Sequence, residues 1–533
     1  MQPLVSRPTD VPAAPRIFTY ALFATALLSI GLIGAAFLTQ ERIGINLGDE
    51  GFLWYGVQRV LAGEAPVRDF DAYEPGRYYW DAAWAVALGS DGLIQLRLAN
   101  AAFAAGGLFL ALLCVRRVVR SWLLLTLFGA ILVLWLYPRH KLFEHGIAMA
   151  GVFIATELIR RPTIWRHALA GTFVGASTFF GRNHGLYMGV SLGLLAVYVY
   201  FRVDRKDARR RTAAFAAGLM LGLLPLVSMF IFAPGYWHAM VESVVMMVQG
   251  TQRQQALAVP WPWRSSGAPM AGSEAAWRIG TGLGFLLMPA LLCGVLVWAT
   301  VMRKSDIKER ALMIGAAFVG ITYTHHAFSR ADFPHLAQAM HPVLLCAIGS
   351  IAVAIGSRKR WLTAAVALAL IALTAATAMY AMPLAEYLRL PREDRTTLQI
   401  DGQVFRVSTS QKLLLTTLRR EVGLYVKSGE SFTAAPLYPF AYPFMHARSP
   451  WWDTYLLFAR DQTWQQRMIQ SMKDQHVSLV MLSADATIDG REDLKFPKTH
   501  PLVWQYIQTN YAAVEGPALL DNVKFWRLRS DIP

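Results

Sequence analysis

Leu47-Gly48-Asp49-Glu50-Gly51-Phe52-Leu53-Trp54-Tyr55-Gly56 and Asp71-Ala72-Tyr73-Glu74-Pro75-Gly76-Arg77-Tyr78-Tyr79-Trp80 lie between two long apolar runs, 18–38 and 93–114. Two acidic-basic stretches so placed mark a polar loop joining membrane spans. A run of about 20 apolar residues crosses roughly 30 Å of hydrocarbon at 1.5 Å per residue. The run 18–38 holds no charge and exceeds a signal-peptide core in length, so it reads as a span.

The same reading extends along the chain. Of 533 residues 55% are hydrophobic and 16% charged, a charge share low for a soluble protein. The apolar residues fall in blocks, and the pattern predicts about eleven spans: 18–38, 93–114, 121–137, 146–159, 168–180, 186–201, 213–233, 279–301, 311–327, 336–356 and 361–382. From about 384 both charges return and the apolar runs shrink to strand length. The expected organisation is an α-helical polytopic membrane domain over 1–383, with a polar loop at 39–92, and a soluble α/β domain over 384–533. In the latter, helices are expected over 411–422, 462–475 and 500–511, and strands over 431–435, 477–482 and 523–528.

The net charge of +16 could suggest a nucleic-acid partner, but the soluble segment holds 18 Lys/Arg against 16 Asp/Glu. The excess sits in alternate short loops: Arg116, Arg117 and Arg120; Arg160, Arg161 and Arg166; 202–211; Arg303 to Arg310; Arg358 to Arg360. That is the positive-inside pattern, which implies a cytoplasmic N-terminus and, with an odd number of spans, an outside C-terminal domain. Membrane lipids are the partners this basicity implies, and nucleic acid is not. Cys114, Cys293 and Cys346 all fall in or beside spans, so no disulfide framework is expected outside.

The loops between the basic ones collect the site-like residues. They include 49–91, Tyr137-Pro138-Arg139-His140-Lys141-Leu142-Phe143-Glu144-His145, Gly181-Arg182-Asn183-His184-Gly185, Pro234 to Trp277 and Thr324-His325-His326-Ala327-Phe328-Ser329-Arg330-Ala331-Asp332-Phe333-Pro334-His335. Seven of the twelve histidines are there. Ionisable groups near the bilayer are costly, so their convergence on one side reads as a site. Taken singly, most such residues are ordinary loop polarity, and Asp49 could be a helix cap. Residues 57–61, with Trp54 and Tyr55, have the spacing of an amphipathic helix lying in the membrane interface. The aromatic loop 436–452, with Asp453 beyond it, either packs the domain on the membrane or binds a sugar or acceptor.

Gly48-Asp49-Glu50-Gly51, Arg59-Val60-Leu61-Ala62-Gly63-Glu64 and Tyr73-Glu74-Pro75-Gly76-Arg77 together resemble the first loop of the GT-C superfamily of membrane glycosyltransferases. The likeness is greatest to the protein O-mannosyltransferase and aminoarabinose-transferase branch. Phe328 to Leu336 and Phe179 to Gly185 resemble outer loops of bacterial relatives. The resemblance implies a GT-C-like fold and an inverting transfer of sugar from a polyprenyl-phosphate donor to a lipid, glycan or protein hydroxyl, at the outer face of a bacterial inner membrane. It implies Asp49 as catalytic base with Glu50 beside it, and Glu74, Arg77, Arg182, Arg330, Asp332 and His335 around the donor phosphate. Here the motif runs Glu-Pro-Gly-Arg where that branch has Glu-Lys-Pro-Pro. Arg suits a phosphate through its planar fork, and a carboxylate at the boundary suits a base.

Two other readings stay open: a glycan ligase or polymerase using a polyprenyl-diphosphate donor, and a non-enzymatic lipid or sugar transporter. Transporters place ionisable groups at mid-membrane, whereas these spans hold few beyond Arg97 and Glu157. No Gly-rich nucleotide loop occurs and no cofactor is implied. No regular metal-ligand spacing appears either, though Asp49, Glu50 and a histidine together could hold a divalent ion.

Overall fold

The computed structural model describes residues 14–249, 256–267, 272–355, 371–372 and 374–529. Among the described residues fourteen α-helices carry the first two thirds of the chain: α1 (Ala14–Gln40), α2 (Asp49–Leu61), α3 (Pro75–Leu88), α4 (Leu93–Val118), α5 (Trp122–Leu134), α6 (Leu142–Arg160), α7 (Ile164–Phe180), α8 (Arg182–Arg202), α9 (Ala208–Gly222), α10 (Leu224–Phe232), α11 (Tyr236–Val248), α12 (Gly272–Val301), α13 (Ala311–Ser329) and α14 (Phe333–Ile355).

Among the described residues seven helices are long and apolar enough to cross a membrane, or eight if α9 and α10 form one span bent by 43°. The chain is thus a multi-span membrane protein. The expected spans 121–137 and 168–180 form helices of 13 and 17 residues, and 361–382 lies largely outside the described residues. Two glycines, one on each helix, set the packing of α7 on α9. A Cβ on Gly171 would lie 2.0 Å from the Phe215 carbonyl, and one on Gly218 would lie 2.0 Å from that of Ala168. Such close backbone approach is how helices associate where hydrocarbon supplies no hydrophobic drive.

The basic loops among the described residues gather at one end of the bundle. Arg117 and Arg166 both meet Glu157, and Arg202 donates to the Met302 carbonyl at 2.6 Å. The C-terminal region covers the other end. A hairpin, β1 (Arg395–Ile400) with β2 (Gln403–Ser408), turns at Asp401-Gly402, both with positive φ. Asp-Gly is a strong two-residue hairpin signal. A mixed sheet follows, β3 (Ser431–Ala435), β4 (Val477–Leu482), β5 (Tyr511–Ala513) and β6 (Lys524–Leu528), in the order β3-β4-β6-β5. The β3–β4 pair is parallel and the other two pairs are antiparallel. The helices Thr409–Tyr425, Gln462–Asp474 and Pro501–Asn510 complete an α/β layer, close to the expected elements.

One expectation fails. Helix α2 does not lie in the membrane interface: Glu50 to Val57 are all buried. The cause is the C-terminal region, whose Phe440 and Tyr442 pack 5.2 and 5.5 Å from the rings of Trp54 and Tyr55. The Ser449 N–H also donates to the Tyr55 hydroxyl at 3.1 Å. Gly51 is needed for this, since a Cβ there would meet the Phe440 backbone at 2.4 Å.

A candidate active site beneath the C-terminal domain

Asp49 and Glu50, adjacent at the start of α2, engage different partners. Glu50 is buried and receives Arg97 at 2.7 and 2.8 Å and Arg139 at 2.9 Å. Burial alone would raise its carboxyl, but Arg139 and Arg97 outweigh that and hold it far below the usual range. Both arginines also bind backbone carbonyls at and just after the end of α1: Arg97 reaches Glu41 and Gly44, and Arg139 reaches Gln40, Ile43 and Gly44. Glu50 is therefore a junction tying α1, α2, α4 and the segment before α6.

Asp49 is the opposite case. Its side chain is 37% exposed, and its contacts are the Tyr73 hydroxyl, which donates to Oδ1 at 3.3 Å, and His140 Nε2, 3.6 Å from Oδ2. Next to it Lys141 places its ammonium 3.5 Å from the Tyr73 ring centroid. Among the described residues no carboxylate pairs with that ammonium.

The predicted cations are already held. Arg77 is buried, donating to Glu144 Oε1 at 3.0 Å and the Phe180 carbonyl at 2.8 Å. Arg182, 28% exposed, pairs through Nε with Glu74 at 2.7 Å, while its outer nitrogens reach only Ser243 Oγ at 3.4 Å and Met240 Sδ at 3.8 Å. Burial would raise the Glu74 carboxyl, but Arg182 and Arg77 lower it. Arg330 binds Asp332 at 2.9 Å and grips Asp489 of the C-terminal region with both terminal nitrogens. Asp332 Oδ1 caps α14 by accepting from the His335 backbone at 2.9 Å, and it meets His335 Nδ1 at 2.7 Å.

These groups close into a circuit. From Asp49 it passes through Tyr73 and Lys141 to Glu144, which lies within electrostatic reach of His184. The His184 ring is 5.6 Å from His326, and that ring 5.2 Å from His335. Asp332, Arg330 and Asp489 follow, and Tyr455 then lies within electrostatic reach of both Asp489 and Asp49. A partly exposed carboxylate thus sits near one unpaired ammonium, under a roof from the C-terminal region. Among the described residues no group of three or more His, Cys, Asp or Glu side chains is arranged to hold a metal ion.

No protein-family model matches the sequence, and no curated protein does. Among solved structures, ArnT from Cupriavidus metallidurans bound to undecaprenyl phosphate superposes with a TM-score of 0.54, covering 97% of this chain and 99% of its own at 12% identity. The same protein in the apo state gives 0.50, over 96% and 98% at 11% identity. The chain has the GT-C fold. The apo oligosaccharyltransferase of Archaeoglobus fulgidus, at a TM-score of 0.45 and 12% identity over 98% of this chain and 75% of its own, is too distant to add to this.

Within the GT-C frame, the sequence singles out Asp49 but not the groups around it. Lys141 and His140 were visible only as members of a polar loop. Tyr73 lay inside a quoted motif without a role. Tyr455 and Asp489 come from a region whose docking the sequence does not announce, except through Gly48: a Cβ there would lie 2.5 Å from the Tyr455 hydroxyl. The aromatic loop packs inward instead. Trp451 Nε1 donates to the Met468 carbonyl at 3.1 Å, Trp452 Nε1 to that of Val67 at 3.2 Å, and Asp453 is buried against Arg460 and Trp464.

Proposed function

We propose that this chain is an inverting glycosyltransferase that moves a sugar from a polyprenyl-phosphate donor to an acceptor hydroxyl at the outer face of a bacterial inner membrane. The observation that carries this is the contrast at the start of α2: Glu50 is neutralised by two arginines while Asp49 stays accessible beside the unpaired Lys141. Asp49 takes the proton of the acceptor hydroxyl, whose oxygen forms a bond to the anomeric carbon as the sugar–phosphate bond breaks. The polyprenyl phosphate leaves with the electron pair. Its growing charge falls to Lys141 and to the outer nitrogens of Arg182.

Glu50, Glu74, Arg77, Arg330, Asp332 and His335 hold this arrangement together. Residues 1–383 form the membrane transferase unit and 384–533 a periplasmic domain, the N-terminus being cytoplasmic. The GT-C fold supports the reading, and ArnT, which shares it, binds undecaprenyl phosphate.

The test is a mass comparison of envelope glycolipids, polysaccharides and glycoproteins from a strain lacking the gene and carrying back either wild type or Asp49→Asn at equal expression. A mass lost in the deletion, restored by wild type and not by Asp49→Asn, is the expected result. Restoration by both overturns the assignment of the base.

A further inference from the structure

The charges around Asp49 are unevenly divided. Lys141 and Arg182 lie toward the membrane helices, and they are the cations with donors to spare. On the side of the C-terminal domain, Arg330 is neutralised by two carboxylates, Asp489 and Asp332, which meet all three of its nitrogens. Among the described residues no unpaired cation borders Asp49 there.

What that side does offer is Tyr455. Its hydroxyl hangs over Gly48 within electrostatic reach of Asp49 and Asp489, and it makes no hydrogen bond among the described residues. Burial and the neighbouring Asp49 hold this phenol well above its ordinary range, so it keeps its proton. Phe52 lies 5.9 Å from the Tyr455 ring and 5.0 Å from the Tyr73 ring, so two phenols flank the carboxylate on a shared aromatic base.

We propose that this face is the acceptor subsite, that Tyr455 is its hydrogen-bond donor, and that the group it takes is a hydroxyl of a neutral saccharide rather than of a phosphorylated head group. The proposal rests on Asp49 being the base. A phosphorylated acceptor would bring negative charge against Asp49 and Asp489 with no free cation to meet it, and juxtaposed like charges cost several kcal/mol. A neutral sugar meets the site on every count. One hydroxyl gives its proton to Asp49, a neighbouring oxygen accepts from Tyr455, and the C–H face of the ring packs on the phenols.

The experiment uses membranes bearing the full chain and its endogenous donor. Neutral glycolipid, neutral polysaccharide and phosphorylated lipid, each extracted from the deletion strain, are offered separately. Transfer to one of the two neutral fractions is expected and tells which source supplies the acceptor. Tyr455→Phe should then raise the KM for that acceptor about tenfold, the worth of one hydrogen bond, with kcat within twofold. Gly48→Ala, which pushes the phenol aside, should do the same if Tyr455→Phe fails to fold. Transfer to the phosphorylated lipid, or an unchanged KM in both folded variants, overturns the proposal and leaves the transferase intact. Transfer to none of the three by wild-type membranes, with no mass lost in the deletion, removes the transferase reading itself.

Discussion

Arg97 places two guanidinium nitrogens on Glu50, at 2.7 and 2.8 Å, so that the second acid of the Asp49-Glu50 pair is a structural ion. Removing one partner of a buried pair strands the other charge, at about 3–5 kcal/mol. Glu50→Gln should therefore lower the thermal unfolding midpoint markedly. Asp49→Asn, on the exposed neighbour, should leave the midpoint nearly unchanged and cut transfer by about a hundredfold or more. Equal loss of stability in the two variants would show that the division of roles is wrong.

Lys141 is the cation with its charge unspent, resting on the Tyr73 ring rather than on a carboxylate. Lys141→Ala should weaken binding of a polyprenyl monophosphate about tenfold or more, by loss of a charge-assisted contact, and Lys141→Arg should keep part of it. Arg77→Lys should instead act through stability, because Arg77 is buried against Glu144. Binding of a fluorescent polyprenyl phosphate to protein in nanodiscs reads both, and undiminished binding by Lys141→Ala would remove the phosphate role.

Asp71 should impose a pH dependence. Burial and the nearby Asp453 push its carboxyl up to about 7, whereas in the unfolded chain an Asp titrates near 3.9. Between those values the folded state holds a proton that the unfolded state has released. Stability therefore falls as pH rises through that window and levels off above it. Asp71→Asn should remove most of this slope, so the variant gains on wild type at pH 8 and matches it near pH 4. Parallel unfolding midpoints of the two proteins across that range would contradict this.

Much of the fold was legible because hydrocarbon thickness and backbone periodicity act locally. The long apolar runs and the 477–482 strand follow from patterns within one segment. What stayed hidden depends on segments meeting. Trp54 and Tyr55 read as interfacial aromatics because nothing near them in sequence says that Phe440 and Tyr442 will cover them. Arg330 with Asp332 was readable as a pair two residues apart, but Asp489, 159 residues away, was not. Whether a cation is already paired depends on such meetings, so the pairing of Arg77 with Glu144, and the position of Lys141 on the Tyr73 ring, were not legible in the sequence.

The Arg330–Asp489 contact ties the C-terminal domain to the end of α13. Both side chains keep some exposure, 18% and 12%, so the pair should be worth less than a fully buried one, about 1–2 kcal/mol. Arg330→Ala frees Asp332 as well, and should lower the midpoint more than Asp489→Ala does. If the contact also seats Tyr455 over Gly48, Asp489→Asn should speed proteolysis near 485–493 and lower transfer together, while donor-lipid binding at Lys141 stays as in wild type. A charge exchange, Arg330→Asp with Asp489→Arg, should not restore activity, because it places Asp332 beside a new carboxylate. Full recovery in that double variant would mean that the clamp is a simple two-residue bridge and that Asp332 takes no part in it.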